Sequence, residues 1–216
     1  GAGGSLGDRR GVAAARARLA PGGRTGTTEV DGASLFIHVV RPHAFDVVLF
    51  GNGHVGRALV QVLGALPCRV RWIDEREHDF PATVPDNVEI VATDAPAAEV
   101  ADAPRGAYVV VMTHSHDLDF DIVEAALERH DWAYLGLIGS KPKRAQFERR
   151  LAARGAPEIE LARVTCPIGA HSGLSSKEPG AIAVGVAAEM LGVRERLRAA
   201  SESSTVRALP RRQERT

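Results

Sequence analysis

The sequence is poor in cysteine and has no net charge. Its two cysteines, Cys68 and Cys166, are too few and too far apart for a disulfide framework. The 27 basic side chains balance the 27 acidic ones, so overall charge favours neither a nucleic acid nor an anionic membrane as a partner. These absences exclude a disulfide-rich scaffold and give no support to a charge-driven binding protein.

Long apolar runs are also missing. The longest ones, such as 107–112, have the length of a strand and fall far short of a membrane span. No secretory signal is visible. We therefore expect a cytoplasmic protein with no membrane partner. Apolar residues make up 44% of the chain, which suits one domain with appendages or two small ones.

A glycine motif follows the first clearly apolar strand. Residues 46–50 run directly into Gly51-Asn52-Gly53-His54-Val55-Gly56, and a further strand at 69–74 ends on Asp74. This arrangement is typical of a Rossmann βαβ unit, in which the glycines allow a tight turn, close approach of a phosphate and close helix packing. The helix that follows favours an anion at its N-terminus.

The rest of the chain alternates strands with helices. We predict strands at 46–50, 69–74, 88–92, 107–112, 133–138 and 162–166, and helices at 54–66, 117–130, 141–154 and 178–192. A short helix at 94–100 and a loop between 74 and 87 complete this part. The pattern predicts an α/β fold: a Rossmann-like, mostly parallel sheet with helices on both faces.

The two ends of the chain differ from this pattern. A short helix at 11–20 and a strand at 34–40 are predicted in a segment too small to bury a core. We therefore interpret 1–44 either as the tail of a preceding domain or as elements that dock on the main domain, 45–196. Residues 197–216 are Arg-rich without apolar periodicity, and we predict a disordered, solvated tail.

Ligands of open α/β sheets bind outside the carboxyl ends of the strands, so the residues that follow each strand are the candidates for a binding site. Asp74 could accept hydrogen bonds from a ribose, and Arg76 could meet a phosphate; a helix-capping Asp and a solvent-facing Arg are the alternative. The full candidate set is Gly51, Asn52, Gly53, His54, Gly56, Asp74, Arg76, Thr113, His114, His116, Asp117, Gly139, Ser140, Lys141 and Cys166.

The segment 113–117 resembles part of a metal site. His114 and His116 could both face one side, but a His-x-His-x-Asp-His site would need Asp and His where the chain has Leu118 and Asp119. We therefore predict no metal site. The alternatives are a helix cap or an anionic ligand held at the helix N-terminus.

Two further turns leave alternatives open. Gly139-Ser140-Lys141 could hold a second phosphate, but Ser140 with Pro142 is equally adequate as a helix start. Cys166 could contact a ligand or transfer sulfur if nearby positive charge favoured its thiolate, whereas a buried, inert thiol is the commoner outcome.

Taken together, the motifs resemble one family, the xanthine dehydrogenase accessory proteins of the XdhC/CoxI type. The matching segments occur in order at 49–59, 72–76, 113–117, 134–143, 166–169 and 176–184. In this comparison, residues 1–7 look like a remnant of one segment of the family's N-terminal domain. The resemblance thus implies that 1–44 is a truncated N-terminal segment, the remnant of a domain most of which is absent from the sequence. Residues 169–173 depart from the usual, more apolar loop.

The resemblance implies a chaperone rather than an enzyme. Such proteins bind the molybdenum cofactor, a molybdopterin bearing a phosphate, while a cysteine desulfurase supplies its sulfido ligand, and deliver it to apo xanthine dehydrogenase. The candidate set would then be cofactor-binding, with no catalytic residue, and the family is compatible with a homodimer.

Two alternatives remain from the sequence. An NAD(P)-dependent oxidoreductase would use the same glycine motif and Asp74, with His114 or His116 as a proton donor. A scaffold that contacts only the dehydrogenase and the desulfurase is the other.

Overall fold

The computed structural model describes residues 26–30, 33–37, 44–173 and 176–207. The chain forms two compact units, Gly1–Pro42 and His43–Thr216. In the first unit the described residues form an antiparallel hairpin of β1 (Gly26–Val30) and β2 (Ala33–Ile37), with Gly26 opposite Ile37. β2 was predicted, whereas β1 was not. The predicted helix at 11–20 lies outside the described residues.

The second unit is built on a five-stranded parallel sheet. Its strands are β3 (Phe45–Phe50), β4 (Cys68–Asp74), β5 (Val88–Ala92), β6 (Tyr108–Val111) and β7 (Tyr134–Leu137), in the order β5-β4-β3-β6-β7. The first strand of this unit is therefore central, as in Rossmann folds. Such sheets have a crevice where the strand order reverses, here at the carboxyl ends of β3 and β6.

Helices cover both faces of the sheet. They are α1 (His54–Gly64), α2 (His116–Arg129), α3 (Lys141–Ala153), α4 (Glu158–Arg163) and α5 (Pro179–Arg207). Side chains alternate along each strand, so one face packs against α2, α3 and α4 and the other against α1 and α5. On β3, for example, Val48 and Phe50 face the first group, and Val47 and Leu49 face the second. The predicted fold class is confirmed.

The predicted sixth strand at 162–166 is wrong. Residues 158–163 form α4, and only Thr165 pairs with β7, through a single parallel bridge to Gly136. Thr165 donates to the Leu135 carbonyl and accepts from the Leu137 amide, at 2.8 and 2.9 Å. Pro167, two residues later, has no N–H to donate, and the next hydrogen bond to β7 runs from the Ile168 amide to the Leu137 carbonyl at 3.3 Å.

The last helix is longer than predicted. It continues to Arg207, into the segment 197–216 for which a disordered tail is predicted, and 208–216 lie outside the described residues. Residues 193–200 are rich in Arg, Leu, Ala and Glu, which favour helix without a buried face, and Glu195 and Arg198 form an ion pair at 3.6 Å. Across the described part of the chain, no helix is both long and apolar enough to cross a membrane.

Candidate functional site

Two of the three motif glycines are required by packing. Gly51 has φ +114°, and a Cβ atom there would lie 2.2 Å from the carbonyl oxygen of Met112. A Cβ atom on Gly56 would lie 2.2 Å from the carbonyl oxygen of Gly51. These two residues bring β3, β6 and α1 into close contact, so any larger side chain would push the elements apart.

Gly53 is different, because its surroundings are open. Its backbone is extended (φ −79°, ψ −176°), and a Cβ atom would meet no described atom within 4 Å. It is the N-cap of α1, which has no side-chain cap and no acidic residue in its first turn. The first amide groups of a helix lack intrahelical partners and carry partial positive charge. The described structure therefore leaves a bare helix N-terminus facing open space.

Asn52 lies in the loop before this helix, with 1% of its surface exposed. Its backbone N–H donates to Asp74 Oδ2 at 2.6 Å, and its Oδ1 accepts from Arg57 Nε at 3.1 Å. Its side-chain Nδ2 is buried without a partner among the described residues. A buried donor of this kind costs free energy unless a ligand or water accepts from it.

Asp74 ends β4 and is held by Arg76. Asp74 Oδ1 accepts from the backbone N–H and the Nε of Arg76, both at 2.9 Å, and Oδ2 accepts from Arg76 Nη2 at 2.9 Å in addition to Asn52 N–H. Burial by itself would raise the pKa of the Asp74 carboxyl, but these hydrogen bonds and the Arg76 charge together hold that pKa below its usual range. Asp74 is thus an ion-paired carboxylate.

The loop after β6 adjoins the glycine turn. Thr113 N lies close to the position that a Cβ on Gly51 would take, at 3.0 Å. Its neighbour His114 is exposed and reaches Glu75, the residue after β4, with Nε2 3.3 Å from the Glu75 carboxylate. Ser115 caps α2 by accepting from the Leu118 amide at 3.3 Å. Of the alternatives for this loop, the structure therefore contains the helix cap.

The two histidines of this loop do not form a metal cluster. His116 and Asp117 are exposed in the first turn of α2, where Asp117 lies 3.6 Å from Arg150 of α3. Within the described ranges, no group of three His, Cys, Asp or Glu side chains is arranged to hold a metal ion. Two acidic residues in the first turn of α2, Asp117 and Asp119, also make its N-terminus a poor site for an anion.

The turn after β7 has the predicted cap. Ser140 Oγ accepts from the Lys143 amide at 3.4 Å, and Lys141 begins α3 with its side chain exposed. A Cβ on Gly139 would lie 2.8 Å from Cδ of Lys143 and 3.3 Å from Cys166 Sγ. The turn thus packs tightly on Lys143 and Cys166, while Lys141 remains available to solvent.

A buried ion pair joins the first turns of α2 and α3, and it was not among the residues predicted from the sequence. Lys143 Nζ lies 2.6 Å from Asp119 Oδ2 and donates to the Ile138 carbonyl at 3.0 Å. Asp119 Oδ1 accepts from the Thr113 amide at 2.9 Å. The exposed fractions are 1% for Asp119 and 9% for Lys143. Lys143 ends the family-matching segment 134–143, and that position was the signal that could have drawn attention to it.

Cys166 is a buried thiol next to this pair. Burial raises its pKa, although the charges of Lys143 and Arg144 partly oppose that effect. Because the thiolate is the nucleophilic form, a raised pKa makes Cys166 a poor nucleophile in this state. Cys68 lies at the other end of the sheet, at the start of β4, where burial raises its pKa to about 11.

The candidate residues thus form one continuous line along the carboxyl edge of the sheet. Asp74 contacts Asn52, Gly51 adjoins Thr113, Thr113 is joined through Asp119 to Lys143, and Lys143 packs on Gly139 and Cys166. The exposed members are Gly53, His54, His114, His116, Asp117, Ser140 and Lys141. The order along this edge follows the strand order β4-β3-β6-β7, so Asp74 lies beyond the glycine loop although it follows that loop in the chain.

The profile of one protein family, the XdhC Rossmann domain, matches residues 47–190, which include this entire edge. The chain belongs to this family. The matched region begins within β3 and ends within α5. The predicted family resemblance is thereby confirmed.

The XdhC-type chain is also similar to individual proteins. It is 30% identical over 161 residues to the uncharacterized protein YqeB of Escherichia coli (strain K12), covering 73% of this chain and 28% of YqeB. A crystal structure of a xanthine dehydrogenase from Bacillus halodurans matches with a TM-score of 0.60 and 23% identity, covering 74% of this chain and 45% of that one. This likeness shows the shared fold. The chain therefore spans less than half of either relative.

A more distant likeness is to a Rossmann-fold NAD(P)-binding family protein from Shigella flexneri. The TM-score is 0.37 at 19% identity, over 51% of this chain and 60% of that one. It is too remote to bear on the ligand.

Proposed function

We propose that this XdhC-type domain is an accessory factor, not an enzyme, that holds the molybdenum cofactor during its sulfuration and its insertion into xanthine dehydrogenase. Family membership supports the accessory role. The observation that carries the proposal of a phosphorylated ligand is the open α1 N-terminus at Gly53. The residue before it, Asn52, has a buried Nδ2 without a partner among the described residues.

The available donors suit a phosphate. The first amide groups of α1 would bind its oxygens, the missing side chain of Gly53 would let it approach the backbone, and Asn52 Nδ2 would gain an acceptor. His114, in the loop after β6, and Lys141, at the start of α3, are exposed on the same edge and would contact the rest of the cofactor. When bound, the cofactor would supply a molybdenum centre to the dehydrogenase, and the domain's own residues would only hold and shield it.

The proposed partners are a cysteine desulfurase and apo xanthine dehydrogenase. The chain spans less than half the length of the two relatives. Contacts made by the rest of a full-length protein would therefore add to those that this domain makes with the desulfurase and the dehydrogenase. Copurification of each partner with the domain, in the presence and absence of cofactor, measures these interactions. We expect cofactor to strengthen the interaction with the dehydrogenase.

The test of binding is anaerobic gel filtration with molybdenum cofactor, followed by metal analysis of the protein peak. We expect the wild-type domain to retain molybdenum and Gly53→Trp to lose it, because the indole would fill the open space in front of α1. Gly180→Trp is a matched control, since a Cβ at Gly180, in the first turn of α5, also meets no described atom within 4 Å. Equal retention by both variants, or none by wild type, would count against the proposal.

An NAD(P)-dependent oxidoreductase is the second candidate, and the site supports it less. NAD needs the carboxylate at the end of β4 for its ribose, and the Asp74 oxygens already accept four hydrogen bonds.

A further inference from the structure

We propose that Arg76 is a specificity-determining residue: by occupying the Asp74 carboxylate, it makes the glycine-loop site reject NAD and other ligands that present a ribose diol. The inference concerns the end of β4 and does not depend on which cofactor the domain carries.

The acceptor positions of Asp74 are filled. An ionised carboxylate has about four lone-pair sites, and Asp74 accepts four hydrogen bonds: one from the Asn52 amide and three from Arg76. The Asp74 side chain is 3% exposed, so water does not compete for these positions. A ribose diol would have to displace the guanidinium.

That exchange is unfavourable. The guanidinium binds both carboxylate oxygens through Nε and Nη2, and such charge-assisted bidentate contacts are about twice as strong as neutral hydrogen bonds. Neutral ribose hydroxyls would replace these charge-assisted contacts, and the displaced guanidinium would lose its carboxylate partner. Arg76 follows Asp74 by only two residues, and its backbone amide donates to the same carboxylate. Both features hold the guanidinium close to Asp74.

NADP would not benefit from the arginine either. In NADP-binding sites an arginine near the end of this strand accommodates the 2′-phosphate. Here Arg76 points its donors at two carboxylates, because Nη1 also lies 3.2 Å from Asp79. A 2′-phosphate would bring further negative charge next to Asp74 and Asp79.

The experiment is calorimetric titration of the purified domain with NAD and with NADP. We expect no binding of either by wild type at millimolar concentration. Arg76→Ala frees two ribose-facing acceptors on a charged group, so it should bind NAD about tenfold or more tightly than wild type, and NAD in preference to NADP. Arg76→Lys keeps a compensating charge but cannot bind both oxygens, and should show a smaller gain in the same direction.

Two controls make the gain specific. Arg69→Ala removes an exposed arginine from the same strand, which pairs with Glu89, and should leave NAD binding absent. The double variant D74N/R76A should lose most of the affinity gained by Arg76→Ala, because that gain requires the carboxylate. Thermal denaturation verifies folding of each variant. NAD binding by wild type, no gain in folded Arg76 variants, or a gain that survives D74N would each overturn the proposal.

Discussion

Replacing Lys143 by methionine is expected to destabilise the domain more than any loss of a surface charge. Methionine keeps most of the volume and the unbranched shape of lysine but leaves Asp119 buried without its cation. Removing one partner of a buried ion pair costs about 3–5 kcal/mol. We expect a value near the lower end, because Asp119 Oδ1 keeps its hydrogen bond from the Thr113 amide.

Chemical and thermal denaturation measure this directly. For a protein of this size a loss of about 3–5 kcal/mol corresponds to a fall in Tm of roughly 6–20 °C. The matched control is Arg69→Met, which removes one partner of a pair whose side chains are 55% and 50% exposed. Exposed pairs are worth about 0–1 kcal/mol, so the control should change stability little.

The double variant D119N/K143M separates the ion pair from simple packing. Asparagine retains an oxygen for the Thr113 amide but removes the uncompensated charge, so the double variant should be more stable than Lys143→Met alone. A loss below about 1 kcal/mol in Lys143→Met would refute the reasoning, because that is the range of an exposed pair. A double variant less stable than Lys143→Met would refute it as well.

Three further predictions follow from individual groups. Gly51→Ala should lose about 1–3 kcal/mol from backbone strain alone, in addition to its clash with Met112, whereas Gly53→Ala should lose about 1 kcal/mol or less in urea denaturation. The pKa of the Asp74 carboxyl is lowered in the folded state, so the ionised carboxylate stabilises the fold above about pH 4, and this contribution is lost as the pH falls through the folded pKa. The difference in unfolding free energy between wild type and D74N should therefore shrink below about pH 4. Because burial raises the pKa of both thiols, Cys68 and Cys166 should react with a thiol reagent at neutral pH only after unfolding, and rapid labelling of the native protein would contradict this.

Local signals in the sequence were sufficient for most of the fold. The run of apolar residues into Gly51 and Gly53 gives the first strand, turn and helix, because each element is specified by neighbours in the chain. β1 could have been predicted from Thr27, Thr28 and Val30, which favour strands, had the glycine-rich surroundings not outweighed them. The sixth strand was predicted wrongly because residues 162 and 163 belong to α4, which begins after Pro157, so that only Thr165 pairs with the sheet.

The site was less predictable, because its key contacts join residues distant in sequence. The position of Asp74 at the end of a strand was evident, but whether its carboxylate faces a ligand or Arg76 depends on side-chain geometry. The pair of Asp119 and Lys143 links two helices, and its burial follows from how α2 and α3 pack on the sheet. Charged residues are rarely buried unless paired, so neither was a natural candidate from the sequence.

The central claim is that the open glycine loop before α1 holds the phosphate of a molybdopterin ligand. The most direct test is a fluorescence titration of the domain with molybdopterin before and after removal of its phosphate by a phosphatase. The account predicts that the dephosphorylated compound binds at least about tenfold more weakly, since charge-assisted contacts to the helix amides are lost. Equal affinity for the two compounds would contradict it.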